Sequence, residues 1–589
     1  MIPGYIPGMR HRVRMPEPHA HLFHVESEID HPGETVELCF PVWTPGSYLV
    51  REFARHVEGL SADDGEGRAL AVHRLDKRRL RVDSAGARRV VVRFRVYAND
   101  LTVRTCHLDG THGYLNGAAV FPYVPGREQE PQVLEVEPPE GWRVSTALPG
   151  GPHRFTARDY DELVDSPVEV GTHRLVPFTA LGKPHELAIW GRGNLDEGRL
   201  ADDVTRIVEE HGRFFGELPY ERYLFILHLS DKRRGGLEHA ASTTLSVGRY
   251  QFFPRDAYEE TLGLVSHEFF HVWNVKRLRP AAFVPFDYGR EQYTRLLWWF
   301  EGATSYYEGL ALVRAGLLPV KAYLKNLGQA LTALERTPGA RKMSVEEASF
   351  VAWVKHYRPD ENSVNSAISY YLKGEVVALA LDLMLRRAGG SLDELLRALW
   401  RKYEQTGVPE DAIEQEVARL AGPGEAQAFF DRWVRGTDRA RADFEAVGLV
   451  AHRRAAQAFD DKGGSAGKRD EERPAPGWLG ADLAPGPKLV VQQVREGSPA
   501  HRAGLYAEDE LVAESGFRID RGGLWDRLCE RGPGGTLWLT VFRRDELVEV
   551  VVPLGPPPED TVWLEPAPFA SEADREMFKS WCGQELPEG

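Results

Sequence analysis

The sequence predicts a multidomain α+β protein: a β-sandwich first, a mixed α/β middle that turns mainly helical, and a smaller β domain near the C-terminus. Three observations predict it. At 589 residues the chain is too long for one hydrophobic core. Short β-branched and aromatic runs punctuated by Pro and Gly fill the chain to about residue 170. Helical spacing then dominates to about 450, and strand patterns return after 476. The expected boundaries are 1–171 for the sandwich, 172–451 for the middle domain, 452–476 for a flexible linker, 477–556 for the second β domain and 557–589 for a tail.

In the first part, Arg89 to Tyr97 is β-branched and aromatic with partial alternation, and Glu34 to Phe40 and Val133 to Val144 read similarly. His19, His21 and His24 invite a metal reading, and His19 and His21 would share one face of a strand, but no acid or cysteine is placed to complete a set, so a structural or surface role is expected. Phe40 to Tyr48, rich in aromatics and turn residues, reads as a rigid corner. Leu200 to Phe215 carries a helical apolar stripe. Tyr223 to Leu229 reads as a buried strand, Thr243 to Val247 as another, and Gly235-Gly236-Leu237-Glu238 lies between them. Glycines let backbone approach a ligand closely, and Glu238 beside them could anchor a cationic group or simply be solvated.

The centre of the pattern is His267-Glu268-Phe269-Phe270-His271 on a helix expected at about 261–275. Residues four apart share a helix face, so both imidazoles can aim at one Zn2+, which binds imidazole nitrogen at about 2.0–2.1 Å. Glu268 stands beside the first ligand, where it could take a proton from a metal-bound water. The bland alternative is a helix with two packed histidines. A catalytic zinc needs a third protein ligand. Glu301 lies in the apolar stretch Leu296 to Tyr307 and, buried there, needs a partner. Glu291 and Glu308 are rivals in more polar surroundings, and an arginine partner for Glu301 is the other alternative.

Further helices are expected at Val320 to Leu334, Ala367 to Arg387, Leu392 to Tyr403 and Asp411 to Leu420. Tyr370 or Tyr371, at the start of one, is a packing residue or an oxyanion donor. After the small, charged stretch 452–476, strands are expected at Lys488 to Val494, Leu511 to Glu514, Leu537 to Phe542 and Leu547 to Val552. One short helix is expected near Glu572 to Trp581.

Composition narrows the function. A net charge of −15 disfavours nucleic acid and anionic lipid as partners. No run of about 18 apolar residues offers a membrane span. The first residues lack a basic segment followed by an apolar one, so no signal peptide is expected. Cys39, Cys106, Cys529 and Cys582 are scattered without CxxC spacing, which fits reduced thiols and a cytoplasmic location.

Taken together, the motifs resemble the glycyl aminopeptidase family of zinc metallopeptidases. They are Pro41 to Tyr48, Gly235 to His239, His267 to Arg277, Trp299 to Tyr307, Tyr370 to Gly374, and Gly497-Ser498-Pro499-Ala500 with Ala503-Gly504-Leu505. The resemblance spans about residues 5–555. It implies a thermolysin-like, gluzincin-type catalytic domain with one zinc held by His267, His271 and Glu301, and Glu268 as general base. It implies that Glu238, with Gly235 and Gly236, binds the substrate's free α-amine and that Tyr371 stabilises the oxyanion. It also implies a C-terminal PDZ-like domain, open to a peptide or an intramolecular ligand. Where the larger aminopeptidase clan has asparagine, His239 follows the anchoring glutamate. Between His271 and Glu301, 29 residues intervene, more than is usual in that clan. Gly477-Trp478-Leu479-Gly480 is a loose version of a carboxylate-binding loop. The expected activity is release of small N-terminal residues, Gly or Ala, from peptides. The competing expectations are a zinc endopeptidase and a PDZ-bearing adaptor with a vestigial peptidase domain.

Overall fold

The computed structural model describes residues 8–231, 234–467 and 474–588. The chain divides into two compact units, Met1–Tyr293 with Leu399–Pro409, and Thr294–Ala398 with Glu410–Gly589.

In the first unit a seven-stranded sheet runs in the order Arg154–Ala157, Gln132–Glu137, Met9–Arg14, Leu22–Asp30, Arg89–Tyr97, Val57–Asp63, Ala69–Leu70. Only Met9–Arg14 and Gln132–Glu137 pair in parallel; the other neighbours are antiparallel. A four-stranded and a three-stranded sheet accompany it. Val13, Phe23, Val25, Val92, Phe94, Leu134 and Val136 build one core among them. The expected strand at Arg89–Tyr97 is present end to end. The strand expected through His19 is not. Pro18 opens a 3-10 turn over Pro18–Ala20, and His21 is left-handed at φ 58°. A proline ring favours the first position of a helical turn, so regular alternation begins only at Leu22.

A five-stranded sheet follows, in the order Arg174–Ala180, Lys183–Trp190, Tyr223–Ser230, Ser242–Gly248, Gly235–Glu238. Tyr223–Ser230 is parallel to both neighbours and buried at all eight positions, which is why its sequence is nearly continuously apolar, with His228 the polar residue inside it. Gly235–Glu238 closes the edge, antiparallel, with Gly236 opposite Leu245 and Glu238 opposite Thr243. The helix Glu197–Phe215 starts on an Asp196 side chain that accepts from the Arg199 amide, and it stops at Gly216 with φ 89°. The helix Arg255–Phe270 packs against it and against the edge strand.

In the second unit, a π-helical segment Trp298–Ala303 runs into the helix Thr304–Arg314, followed by Val320–Glu335 and Tyr370–Arg387. Near the C-terminus, Leu479, Val491, Leu511, Leu524, Leu537, Val541 and Val552 form a separate core. It lies under the sheet Phe517–Arg518, Glu510–Glu514, Thr536–Arg543, Glu546–Pro553 and the helix Arg521–Arg531. The strand expected from Lys488 is confined to Val491–Val494. Of the expected linker, residues 468–473 lie outside the described residues. Before them the backbone is tied down: Asp461 accepts from Arg454 and from the amides of Gln457 and Gly463, and the Gly464 amide donates to Val562. The tail supplies a strand, Thr561–Pro566, antiparallel to Leu449–Arg454. It also supplies a helix, Glu572–Cys582, begun by a Ser571/Asp574 capping box. All four cysteines are free and buried. No described helix is long and apolar enough to cross a membrane.

Candidate metal centre and active site

The helix Arg255–Phe270 ends one residue before His271, which holds the C-cap position in right-handed geometry. The His271 amide still reaches the His267 carbonyl, at 3.4 Å, so the four-residue spacing survives the helix end. The two rings lie 4.7 Å apart, centroid to centroid, and nearly perpendicular at 83°. His271 Nδ1 sits 2.7 Å from the Asn274 carbonyl oxygen. A carbonyl only accepts, so Nδ1 carries a proton, and in the neutral ring Nε2 is the nitrogen able to bind a cation. His267, Glu268 and His271 are all buried.

The edge strand supplies the rest of this face. A Cβ placed at Gly236 would meet Glu268 Oε1 at 2.0 Å, so only glycine allows the strand to lie on that carboxylate. At Gly235 the nearest atom would be Arg104 Nη1 at 3.4 Å, an ordinary contact. The two glycines of the motif therefore differ: Gly236 is required by packing and Gly235 is not. Glu238 is 3% exposed, and its Oε1 has no hydrogen-bond partner among the described residues. Glu238, Glu268 and His271 each offer an atom within 4.8 Å of the other two.

Residues to which the motifs gave no chemical role hold this arrangement. Asp165 accepts from the Ala240 amide at 2.9 Å, faces His239 Nδ1 at 3.0 Å and pairs with Lys276 at 2.7 Å. Burial pushes the Asp165 carboxyl up; Lys276 and His239 outweigh it and hold it well below the usual carboxylate range. Arg104 donates to the Gly236 carbonyl at 3.3 Å. Arg277 donates to the carbonyls of Ala240, Val272 and Pro219, and burial pulls its guanidinium down to about 10. The signal for Lys276 and Arg277 was their nearness to the histidine pattern; Asp165 carries none.

A second buried group has a different character. Glu169 faces His112 Nδ1 and His228 Nε2, each at 2.9 Å, and His112 Nε2 meets His107 Nδ1 at 2.9 Å. These contacts pin strands together, although His228 Nδ1 has no hydrogen-bond partner among the described residues. Three ligands sealed from water would also leave a structural zinc one short of its usual four.

In the second unit Glu301 lies within the π-helical turn and is 2% exposed. Such turns occur frequently at functional sites. Its rivals Glu291 and Glu308 are only half-buried. A Cβ at Gly302 would meet Gly374 Cα at 2.4 Å, and one at Gly374 would meet the Trp298 carbonyl at 2.6 Å. The segments bearing Glu301 and Tyr371 thus cross backbone to backbone. Ser369 caps the helix that begins at Tyr370. Tyr370 is fully buried whereas Tyr371 is half-exposed and stacks on His356, centroids 5.3 Å apart. Burial pushes the His356 imidazole down, partly opposed by the Glu301 charge. Lys373, two residues on, is buried against the carbonyls of Ala340 and Met343 and pushed down to about 8.

Comparison with known proteins brings these features together. The Peptidase M61 N-terminal domain matches residues 10–172, and M61 glycyl aminopeptidase matches residues 260–377, a span that encloses both histidines, Glu268, Glu301 and Tyr371. Comparison with curated proteins gives no match. Among solved structures, an aminopeptidase N family protein from Idiomarina loihiensis is 32% identical, with 98% of this chain and 100% of that chain covered and a TM-score of 0.91. An M1 zinc metallopeptidase from Deinococcus radiodurans is 14% identical, with 74% of this chain and 96% of that chain covered and a TM-score of 0.46, a likeness too slight to argue from. With the resemblance in the motifs matched by two domains of one family and by a relative aligned along its whole length, the chain belongs to the M61 glycyl aminopeptidase family and is a metalloaminopeptidase.

Proposed function

We propose that this metalloaminopeptidase uses zinc, held by His267, His271 and Glu301, to release small N-terminal residues from peptides. The donor types fit the ion, since two imidazoles and one carboxylate are a usual set for a catalytic zinc, and the His271 Nδ1–H on the Asn274 carbonyl orients its ring for the task. Zinc bound there would polarise the scissile carbonyl and lower the pKa of a bound water to about 7. The chain's own groups have distinct tasks. Glu238 takes the α-ammonium and so fixes cleavage after the first residue. The outward side of Gly235–Glu238, at the sheet edge, offers backbone groups to an extended peptide. Glu268 receives the proton of the attacking water and passes it to the leaving amine. The Tyr371 hydroxyl donates to the oxygen that gains charge.

The single observation that carries the exopeptidase reading is Glu238: a buried carboxylate oxygen without a partner costs about 1–3 kcal/mol, more for a charge, and an ammonium would relieve it. The preference for Gly or Ala rests on the family alone. We also propose that 477–556 is a PDZ-like domain, supported by its separate core, and that the enzyme is cytoplasmic, supported by four free buried thiols. The test combines metal analysis with amino-acid amides and their N-acetyl counterparts. One zinc per chain and cleavage confined to free amines are expected. Equal cleavage of acetylated substrates would overturn the amine anchor in favour of an endopeptidase, and absence of metal would favour an adaptor.

A further inference from the structure

The turn Thr44-Pro45-Gly46-Ser47 comes from the N-terminal β domain, far along the chain from the peptidase motifs. It closes with the Ser47 amide on the Thr44 carbonyl at 3.1 Å, and Gly46 has φ 85°. Proline followed by a left-handed glycine is the pattern of a type II turn, which accounts for a glycine at this position. It does not account for what the turn rests on. A Cβ at Gly46 would lie 2.6 Å from both Oε1 and Oε2 of Glu238 and 2.8 Å from its Cδ. The bare backbone of Gly46 therefore covers the carboxylate on one side. On another side stand Glu268 and His271, with atoms within 4.8 Å.

The turn is fixed from behind. Trp43 is fully buried and its Nε1 donates to the Asp287 carbonyl at 2.8 Å. The Val42 amide donates to the Tyr288 carbonyl, and the Arg51 amide to the Val42 carbonyl. Arg51 Nη2 donates to Ser47 Oγ at 2.7 Å. Tyr48 is 1% exposed. A wall held this way does not yield to a displaced carboxylate, so the carboxylate would have to move instead.

We propose that Gly46 is a positioning residue of the amine pocket: its missing side chain lets Glu238 stand at the depth that receives a primary α-ammonium, which makes the N-terminal β domain part of the substrate site. This rests on Glu238 being the amine anchor. Gly46→Ala should push Glu238 toward Glu268 and impair binding of the amine while leaving the zinc ligands alone. Glu238→Asp draws the carboxylate back by about one carbon–carbon bond, roughly 1.5 Å, and restores room for the added methyl.

The experiment is a double-mutant cycle on a glycine amide substrate, with zinc content and melting temperature measured for each variant. Backbone strain in the turn is common to Gly46→Ala and to Gly46→Ala/Glu238→Asp and cancels in the cycle. Gly46→Ala is expected to raise KM at least ten-fold, to change kcat by less than about three-fold, and to keep one zinc. The double variant should recover at least a third of the logarithmic loss measured against Glu238→Asp alone. Unchanged KM in Gly46→Ala, or strictly additive losses, would overturn the proposal. If Gly46→Ala does not fold, a folded double variant supports the steric conflict, and failure of both overturns it. The underlying anchor fails separately: Glu238→Gln would then lose free-amine and acetylated substrates alike.

Discussion

Gly236→Ala puts the general base under direct strain. The added methyl would start 2.0 Å from Glu268 Oε1, 2.2 Å from Cδ and 2.4 Å from Cγ. Ordinary carbon contacts begin near 3.4 Å, so strand and carboxylate must part by more than about 1 Å, and the end of Glu268 is the part that can move. A misplacement of about 1 Å at reacting groups costs on the order of 10²-fold. Losing a general base altogether costs about 10²–10⁴-fold. Gly236→Ala is therefore expected to lower kcat by about 10²-fold or more with KM changed little, because the three atoms nearest the methyl all belong to Glu268. Steady-state kinetics on a glycine amide, with zinc measured on the same preparation, reads this out. Gly235→Ala is the control: its methyl would meet Arg104 at 3.4 Å, and kcat should stay within about two-fold. Near-native kcat in Gly236→Ala, or equal damage from both glycine variants, would refute the role given to this strand.

Two further outcomes follow from the same geometry. Tyr371→Phe should lower kcat by about 10²–10³-fold at nearly constant KM, the cost of one oxyanion donor, whereas Tyr370→Phe should leave kcat almost unchanged; single-substrate kinetics on both variants decides. Asp165→Asn should lower stability at pH 7 by about 2 kcal/mol, the worth of hydrogen bonds to a charged group, seen in urea melts. The wild-type Asp165 carboxyl is held below its unfolded value of about 3.9. Its stabilisation is thus complete above about pH 4 and fades as pH falls further toward the folded value. The gap between wild type and Asp165→Asn should stay constant from pH 5 to 8 and narrow only in stronger acid; a gap that narrows above pH 5 would contradict the ion pair with Lys276.

Local patterns were legible where one element carries the whole signal. His267, Glu268 and His271 sit on one helix end, and four-residue spacing places them without knowledge of the rest. Arg89–Tyr97 and Leu392–Tyr403 show their period over their full length and were bounded correctly. Glu301 was reached by a cost argument about buried charge, since the π-helical turn that holds it leaves no periodicity distinct from an α-helix. The strand Thr561–Pro566 was invisible because its proline-rich, acidic surroundings resemble a solvated tail, and its register comes from pairing with Leu449–Arg454. Gly46 and Asp165 were illegible for a deeper reason. Each acts through a residue distant in sequence, Glu238 and Lys276, and such contacts are set by how the sheets pack. The corner Phe40–Tyr48 announced rigidity, but not the carboxylate it covers.

The electrostatics of the first unit bear on why a free amine should matter at all. Glu238 and Glu268 approach within 4.8 Å. At an effective dielectric of about 20 that is a repulsion of roughly 3.5 kcal/mol, and Glu238 Oε1 adds the cost of an unmade hydrogen bond. A bound ammonium offsets both penalties at once; an acetylated or deprotonated amine can still donate a hydrogen bond but carries no charge to offset the repulsion. A substrate α-amine titrates at about 8, so KM should rise roughly ten-fold for each pH unit above that value as the ammonium form is depleted, while kcat at saturation moves less. Glu238→Gln removes the repulsion together with the anchor, so its KM should be higher at pH 7 and nearly flat from pH 7 to 9. Initial-rate measurements across that range on a glycine amide separate the two enzymes. Parallel KM profiles for wild type and Glu238→Gln would mean that the buried carboxylate does not read the charge of the substrate's first residue.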